Sequence, residues 1–308
     1  MSSSRDADLG TDPPQGVRSV GPDALRPAIG RRERAIVKDL GIDERCDAAG
    51  GTVAVLLQRC RDGRVLYSRN AERSLAAAST IKVLLLAALL EEGLSWEERI
   101  AVSEAEKVPY SLVTLLDNPL WSLGDLARLM ILDSDNTATN VLLDRLGMER
   151  VNGRGRRMGL KGTLFRRKMM DQAAAASGRE NVTTLADQAR LWGLLWAVAQ
   201  GKALPDGVSP RLWGGADGAR KALEILCHVR TDSMLLRHFT EEECPLAHKA
   251  GGLPYARHEA GLFFPPSPEG ADYFFGVFTE GLSEPLAKEL IGRLSRDVYE
   301  TRKEWLHD

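Results

Sequence analysis

Ala76-Ala77-Ala78-Ser79-Thr80-Ile81-Lys82, opening into the uncharged apolar stretch Val83 to Leu90, sets the reading of this chain. An apolar run of that length without polar interruption predicts a helix buried in the protein, with Ser79 at its first turn. Lys82, one turn further along, falls on the same face as Ser79. A hydroxyl with an amine one turn away, in a setting that excludes water, is an arrangement that makes a serine nucleophilic. A serine three residues before a lysine also arises by chance in a chain of this size. The plain alternative is a helix start with a lysine at its rim.

Two later segments bear on that choice. Ser134-Asp135-Asn136 follows the apolar run Leu126 to Leu132, and Lys249-Ala250-Gly251-Gly252 follows Pro245-Leu246-Ala247-His248. Each has a plain reading of its own, a helix N-cap cluster for the first and a strand-end turn for the second. In this order, however, Ser-x-x-Lys, Ser-Asp-Asn and Lys-x-Gly form a joint pattern for acyl transfer through a serine. Ser134 is then placed to pass a proton to a leaving nitrogen, with Lys249 polarising it. Lys82, partly desolvated and near a second lysine, is driven towards its neutral form and can accept the Ser79 proton. The Ser79 backbone N–H, at a helix start, can help to hold an oxyanion. Asn136 offers an amide to a substrate carbonyl, whereas Asp135 turns inward to brace its loop. Gly251 and Gly252 allow the backbone to approach a substrate closely.

Composition excludes several other functions. The chain has 308 residues, 44% of them hydrophobic, with 41 basic against 43 acidic side chains, so no electrostatic footprint for nucleic acid or an anionic membrane exists. The basic group from Arg154 to Lys168 reads as solvated surface. Val83 to Leu90 is too short to span a bilayer, and no secretory apolar run stands in the first thirty residues, which makes a cytoplasmic location the expectation. Cys46, Cys60, Cys227 and Cys244 lack metal-ligand spacing and read as reduced buried thiols, and no metal or other cofactor is expected.

The order of elements suggests the architecture. A helix is expected over Arg31 to Leu40, ending at Gly41, followed by a hairpin of Thr52–Leu57 and Arg64–Tyr67 about the turn Arg61-Asp62-Gly63. Residues 79 to 235 read as helices, including one capped at Ser122, one over Thr184 to Ala199 and one over Arg220 to Cys227. Strands return at Leu246–Ala250, Glu259–Phe264 and Tyr273–Phe278, with Pro265, Pro266 and Pro268 in the last connection. A final helix carries Leu286, Leu290, Leu294 and Val298 as an apolar stripe, with Lys288, Arg293 and Arg296 towards water. Two early strands and three late ones imply an α+β fold, a five-stranded antiparallel sheet flanked by helices with an all-helical lobe inserted. The divisions expected are a disordered polar tail over 1–30, a discontinuous sheet-and-helix domain over 31–70 and 237–308, and a helical domain over 71–236. The binding site falls in the cleft between the last two.

On these motifs the chain resembles the class A β-lactamases and their penicillin-binding relatives over residues 31 to 308. The resemblance implies the same sandwich fold, an acyl-enzyme on Ser79, and the Gly252 N–H as second oxyanion donor. It also exposes two departures. Where that family carries a loop glutamate that activates the deacylating water, this chain has Arg166-Arg167-Lys168-Met169-Met170-Asp171, then Arg179-Glu180-Asn181-Val182-Thr183-Thr184. Asp171 and Glu180 are the carboxylates available, and Asp171 is the candidate base. Ala250 also removes a hydroxyl that the family uses to grip a substrate carboxylate. Arg257 and His258 can supply that contact or form a solvated strand-edge pair, and Tyr110 either walls the cleft or belongs to the core.

The leading expectation is a serine hydrolase that opens a cyclic amide of the β-lactam type. A cytoplasmic esterase or amidase on another acyl substrate is the alternative within enzymes, and a slowly deacylating penicillin-binding or sensing module the alternative outside them. The partner in every case is a small acyl compound. Peptidoglycan carboxypeptidase activity fits less well, because that substrate lies outside the cytoplasm.

Overall fold

The computed structural model of the protein describes residues 40–240, 243–266 and 272–305. In chain order it begins with helix α1 (Ile42–Ala49), strands β1 (Thr52–Arg59) and β2 (Val65–Arg69), and the short strand β3 (Leu75–Ala76). One 3-10 turn (Ala78–Ile81) leads into α2 (Lys82–Glu92). Strands β4 (Arg99–Ala101) and β5 (Leu120–Ser122) pair with each other, and helices α3 (Leu123–Leu132), α4 (Asn136–Leu146), α5 (Met148–Arg157) and α6 (Gln172–Ala176) follow. Next come β6 (Val182–Thr183), α7 (Leu185–Ala199) and α8 (Gly215–Cys227). Strands β7 (Leu246–Leu253), β8 (Ala256–Phe263) and β9 (Tyr273–Glu280), then α9 (Glu284–Glu300) and the turn α10 (Arg302–Trp305), complete the order.

The main sheet has five strands in the order β2-β1-β9-β8-β7, antiparallel throughout, so the two early strands meet the three late ones along the β1–β9 seam. β9 is buried on both faces, and its alternation divides it between two cores. Phe274 and Phe278 point towards the helical side with α2 and α7, while Tyr273, Phe275 and Val277 face α1 and α9. Helix α2 is buried from Lys82 through Leu90, as a helix apolar on every side must be. It forms the axis of the helical part.

Several boundaries differ from the expectations. The helix over Arg31 to Leu40 and the tail over 1–30 lie outside the described residues, as do Pro268 and its neighbours. Gly41, expected to end that helix, stands in a left-handed conformation (φ 57°) directly before α1, which carries Ile42 and Cys46 into the second core. β7 runs on through both glycines to Leu253, and β8 starts at Ala256, because Pro254 and Tyr255 make the connection as a tight turn. Leu286 is 44% exposed and off the apolar stripe of α9, whose buried residues include Ala287, Leu290, Ile291, Leu294 and Val298. A spacing of four overshoots the 3.6-residue turn, so a row of four such residues drifts around the helix and its first member leaves the contact. Arg154 is not simple surface: it reaches Glu91 at 2.8 Å and also pairs with Glu92. All four cysteines are free, but only Cys46 and Cys244 are buried, and Cys227 is exposed. Among the described residues no helix is long and apolar enough to cross a membrane.

Candidate active site

Ser79 sits half-buried in the 3-10 turn that opens α2, and the backbone N–H of Lys82 donates to its carbonyl. The segment before it is held on three sides. Ala76 N–H donates to Glu280 Oε1 at 2.9 Å, Ala77 N–H to the Asn181 carbonyl at 2.7 Å, and His258 Nε2 reaches the Ala76 carbonyl at 2.8 Å. Ala78 then takes a positive φ of 46°, which a side chain rarely adopts, and this turns Ser79 towards the cleft. β7 passes very close by. A Cβ on Gly251 would stand 2.9 Å from Ser79 N, 3.0 Å from Ala78 Cβ and 3.1 Å from Thr80 N, so only glycine lets strand and helix start approach this far.

Lys82 is fully buried and its amine is surrounded by the Ser134-Asp135-Asn136 segment. Nζ donates to Asn136 Oδ1 at 2.9 Å, lies 3.1 Å from Ser134 Oγ, and bonds the Ser134 carbonyl. Burial pushes its pKa well below the ordinary lysine value, and the nearby Lys249 lowers it further, against a smaller opposing pull from Asp135. Lys249, also buried, is lowered to about 8 by desolvation, with Glu259 opposing, and its Nζ donates to the Ala250 carbonyl at 2.9 Å. Two lysines in one dry site cannot both stay charged at little cost.

Asp135 points inward, accepting from Ser111 Oγ at 2.8 Å, Val113 N–H at 3.0 Å and Ala138 N–H at 2.8 Å. It caps α4 and ties the segment around Tyr110 to it. Ser134, in a left-handed conformation with φ 59°, is thereby turned towards Lys82. Asn136, expected to offer its amide to a substrate carbonyl, is largely engaged within the site. Its Oδ1 accepts from Lys82 and its Nδ2 donates to the Pro109 carbonyl at 3.2 Å, which leaves at most one N–H for a substrate. Tyr110 is 81% exposed and lines the cleft, which rules out the core alternative.

The cleft has a volume of about 860 Å³ and brings together Ser79, Ser134, Asn136, Lys249, Ala250, Gly251, Gly252, Tyr110 and Arg257. Lys82 lies beneath it. Asp171 is not brought in: it is exposed, and its carboxylate caps α6 through the Ala174 N–H at 2.9 Å. Sequence alone could not tell a helix cap from a base, because an aspartate before a run of alanines fits both. The loop instead presents Met169, Met170 and Gln172 to the cleft, with both backbone groups of Met169 clamped by Asn140, N–H to Oδ1 at 2.7 Å and carbonyl to Nδ2 at 3.1 Å. Glu180 does line the cleft but is paired with Arg167 at 2.6 Å and accepts from the Asn181 N–H at 2.8 Å.

The Arg257-His258 pair separates, as neighbours on a strand must. His258 is fully buried on the opposite face, accepting from Thr279 N–H at Nδ1 and stacked on Phe278 at 4.4 Å, so it cannot reach a substrate carboxylate. Arg257 faces the cleft beside Gly252, but its guanidinium donates to the Leu253 carbonyl, to the Ala256 carbonyl at 2.8 Å and to Glu284. Asp232, Glu284, Lys288, Met234 and Tyr255 complete this end; none was expected in the site, and Lys288 was expected only to face water, since nothing local marks residues that only the fold gathers. Backbone strain is one signal of the site in three dimensions. Ala78, Tyr110, Ser134 and Met170, all with positive φ, line the same cleft. Among the described residues no group of three or more His, Cys, Asp or Glu side chains could hold a metal ion.

A five-stranded antiparallel sheet with helices on both faces is the fold of the penicillin-binding protein and class A β-lactamase structures that this one matches. The chain belongs to the β-lactamase enzyme family, a family of hydrolases, matching its model over residues 37–302. Among solved structures it is similar to PBP-A, at 24% identity over 87% of this chain and 96% of that one, with a TM-score of 0.71. It is also similar to a β-lactamase from Sphaerobacter thermophilus, at 25% identity over 87% and 97% of the two chains with a TM-score of 0.71. A class A β-lactamase from Bacteroides cellulosilyticus gives a TM-score of 0.74 at 20% identity over 88% and 99%. No curated protein sequence matches the chain.

Proposed function

We propose that this protein is a serine hydrolase of the β-lactamase type that is acylated on Ser79 by a strained cyclic amide, and that it releases the acyl group slowly. The observation that carries the proposal is the Lys82 amine, buried, depressed in pKa, and held against Ser134 one turn from Ser79. In the proposed reaction the Ser79 oxygen bonds to the carbonyl carbon while its proton passes to neutral Lys82. The oxyanion is held at the helix start by the Ser79 N–H and by the Gly252 N–H across the cleft. The C–N bond then breaks, and the departing nitrogen takes a proton from Ser134, which Lys82 replaces. Lys249, still charged below about pH 8, polarises Ser134 from the strand side. Water must later attack the Ser79 ester and needs a base to give its proton to.

That last step is where slow release is favoured over efficient hydrolysis. From the loop over 166–181 the cleft receives Met169, Met170 and Gln172, while Asp171 caps a helix and Glu180 is committed to Arg167. Asp171 is turned out of the cleft, and Glu180, whose Oε1 accepts from Arg167 and from the Asn181 N–H, is the one carboxylate of this loop that lines it. A cytoplasmic esterase shares the same first step and is separated by substrate preference. The test is rapid mixing with a chromogenic β-lactam: the expected result is a burst of about one ring opened per chain followed by a slow phase. Sustained fast turnover without a burst contradicts slow release, and no ring opening with any β-lactam or activated ester contradicts the proposal as a whole.

A further inference from the structure

The β7 end of the cleft carries five charged side chains, Lys249, Arg257, Asp232, Glu284 and Lys288. Four of them form a chain of ion pairs. Arg257 pairs with Glu284, Glu284 with Lys288 at 3.0 Å, and Lys288 with Asp232 at 3.2 Å. The pairing holds the Glu284 carboxyl below its usual range, chiefly through Arg257, and raises Lys288, chiefly through Glu284. The two cations and two anions cancel. Arg257 is further tied at Nη1 by two backbone carbonyls and at Nη2 by Glu284, so its charge is already matched by a carboxylate before a substrate arrives. Where a hydroxyl could add a second contact, β7 presents the methyl group of Ala250. Lys249 is the remaining cation, and it is buried with its Nζ bonded to the Ala250 carbonyl. A substrate carboxylate entering here would lose water and stand beside Asp232 and Glu284, which already match the cations.

Apolar side chains share the wall with polar ones such as Asn136, Gln172 and the Arg167–Glu180 pair. Met169, Met170, Met234, Leu253, Tyr110 and Tyr255 line the cleft, and thioethers adapt to varied apolar shapes. We infer that the acyl donors of this site are uncharged along β7, neutral esters or neutral cyclic amides with an apolar acyl group, and that Glu284 enforces this by withholding Arg257. The inference rests on the proposed acylation of Ser79 and narrows its substrate class.

The experiment compares rates of Ser79 acylation, followed by intact mass on the full chain, for benzylpenicillin, its methyl ester and a p-nitrophenyl ester of a medium-chain fatty acid. The expected result is that the methyl ester acylates at least as fast as the free acid, and that the fatty ester also labels Ser79. Glu284→Gln, a conservative change at an exposed carboxylate, is expected to raise the free-acid rate, and its ratio to the methyl-ester rate, at least threefold. A wild-type free-acid rate tenfold or more above that of the methyl ester overturns the inference, as does a Glu284→Gln variant whose free-acid rate is unchanged. Labelling by the fatty ester alone supports the inference. Absence of any label on Ser79 overturns the acylation proposal itself, a different failure.

Discussion

Lys82 shows how a residue acquires chemistry from its surroundings. The sequence places it one turn after Ser79, and the apolar residues that follow announce its burial, so its neutral form is legible before any coordinates. Its partners are not, because Ser134 and Asn136 lie more than fifty residues away and reach it only through the fold. Asp171 shows the opposite case, a carboxylate of the right type in the right loop whose cap on α6 turns it outward. The two lysines set a pH profile. Lys82 must be neutral to accept a proton, so acylation rises with pH through its depressed pKa. Lys249 must be charged, so acylation falls as pH passes about 8. Acylation rates measured from pH 5 to 10 should therefore descend above about 8, and Lys249→Arg, which stays charged, should lose that descent. A wild-type rate that climbs steadily through pH 10 removes Lys249 from the proton path.

Among elements, β7 carries the sharpest requirement. Sequence reading stops it at Ala250 because glycine is poor in strands, yet the strand continues through Gly251 and Gly252, paired with His258 and Arg257 on β8. The missing side chain at Gly251 is what admits the turn bearing Ser79. Gly251→Val should push that turn away, lowering acylation at least a hundredfold at a stability cost of roughly 1–3 kcal/mol, as overpacking typically does. Gly252→Ala, whose Cβ would meet only the Arg257 side chain at 3.5 Å, should leave the melting temperature nearly unchanged. Equal melting losses for the two variants would mean that the close approach is not what Gly251 provides.

At the scale of the whole molecule, the early hairpin and late strands were legible as one sheet because their alternating apolar residues need a common partner. The strand order, with β9 in the middle, was not, since several antiparallel orders satisfy the same pattern. His258 fastens this sheet to the segment before Ser79, and it does so as a neutral ring. Burial lowers it to about 4, and Nδ1 must accept from the Thr279 N–H, which a second ring proton would prevent. The folded pKa lies below the unfolded value near 6.5, so the unfolded chain gains a proton first as pH falls. The stability held by His258 is complete above about 6.5 and is lost towards pH 4, up to about 3 kcal/mol. Denaturant unfolding at pH 7 and pH 4.5 should show that decline, and His258→Gln should flatten it. An equally steep decline in the variant would assign the acid sensitivity elsewhere.

The central claim is that Ser79 becomes covalently acylated. Intact-mass analysis after incubation with benzylpenicillin or its methyl ester tests it, followed by peptide mapping. Opening a β-lactam ring leaves the departing nitrogen attached, so the prediction is a gain of one whole ligand mass per chain, on the peptide that contains Ser79, persisting over minutes and absent in Ser79→Ala. An unmodified wild-type chain, or an adduct that survives in Ser79→Ala, would contradict it.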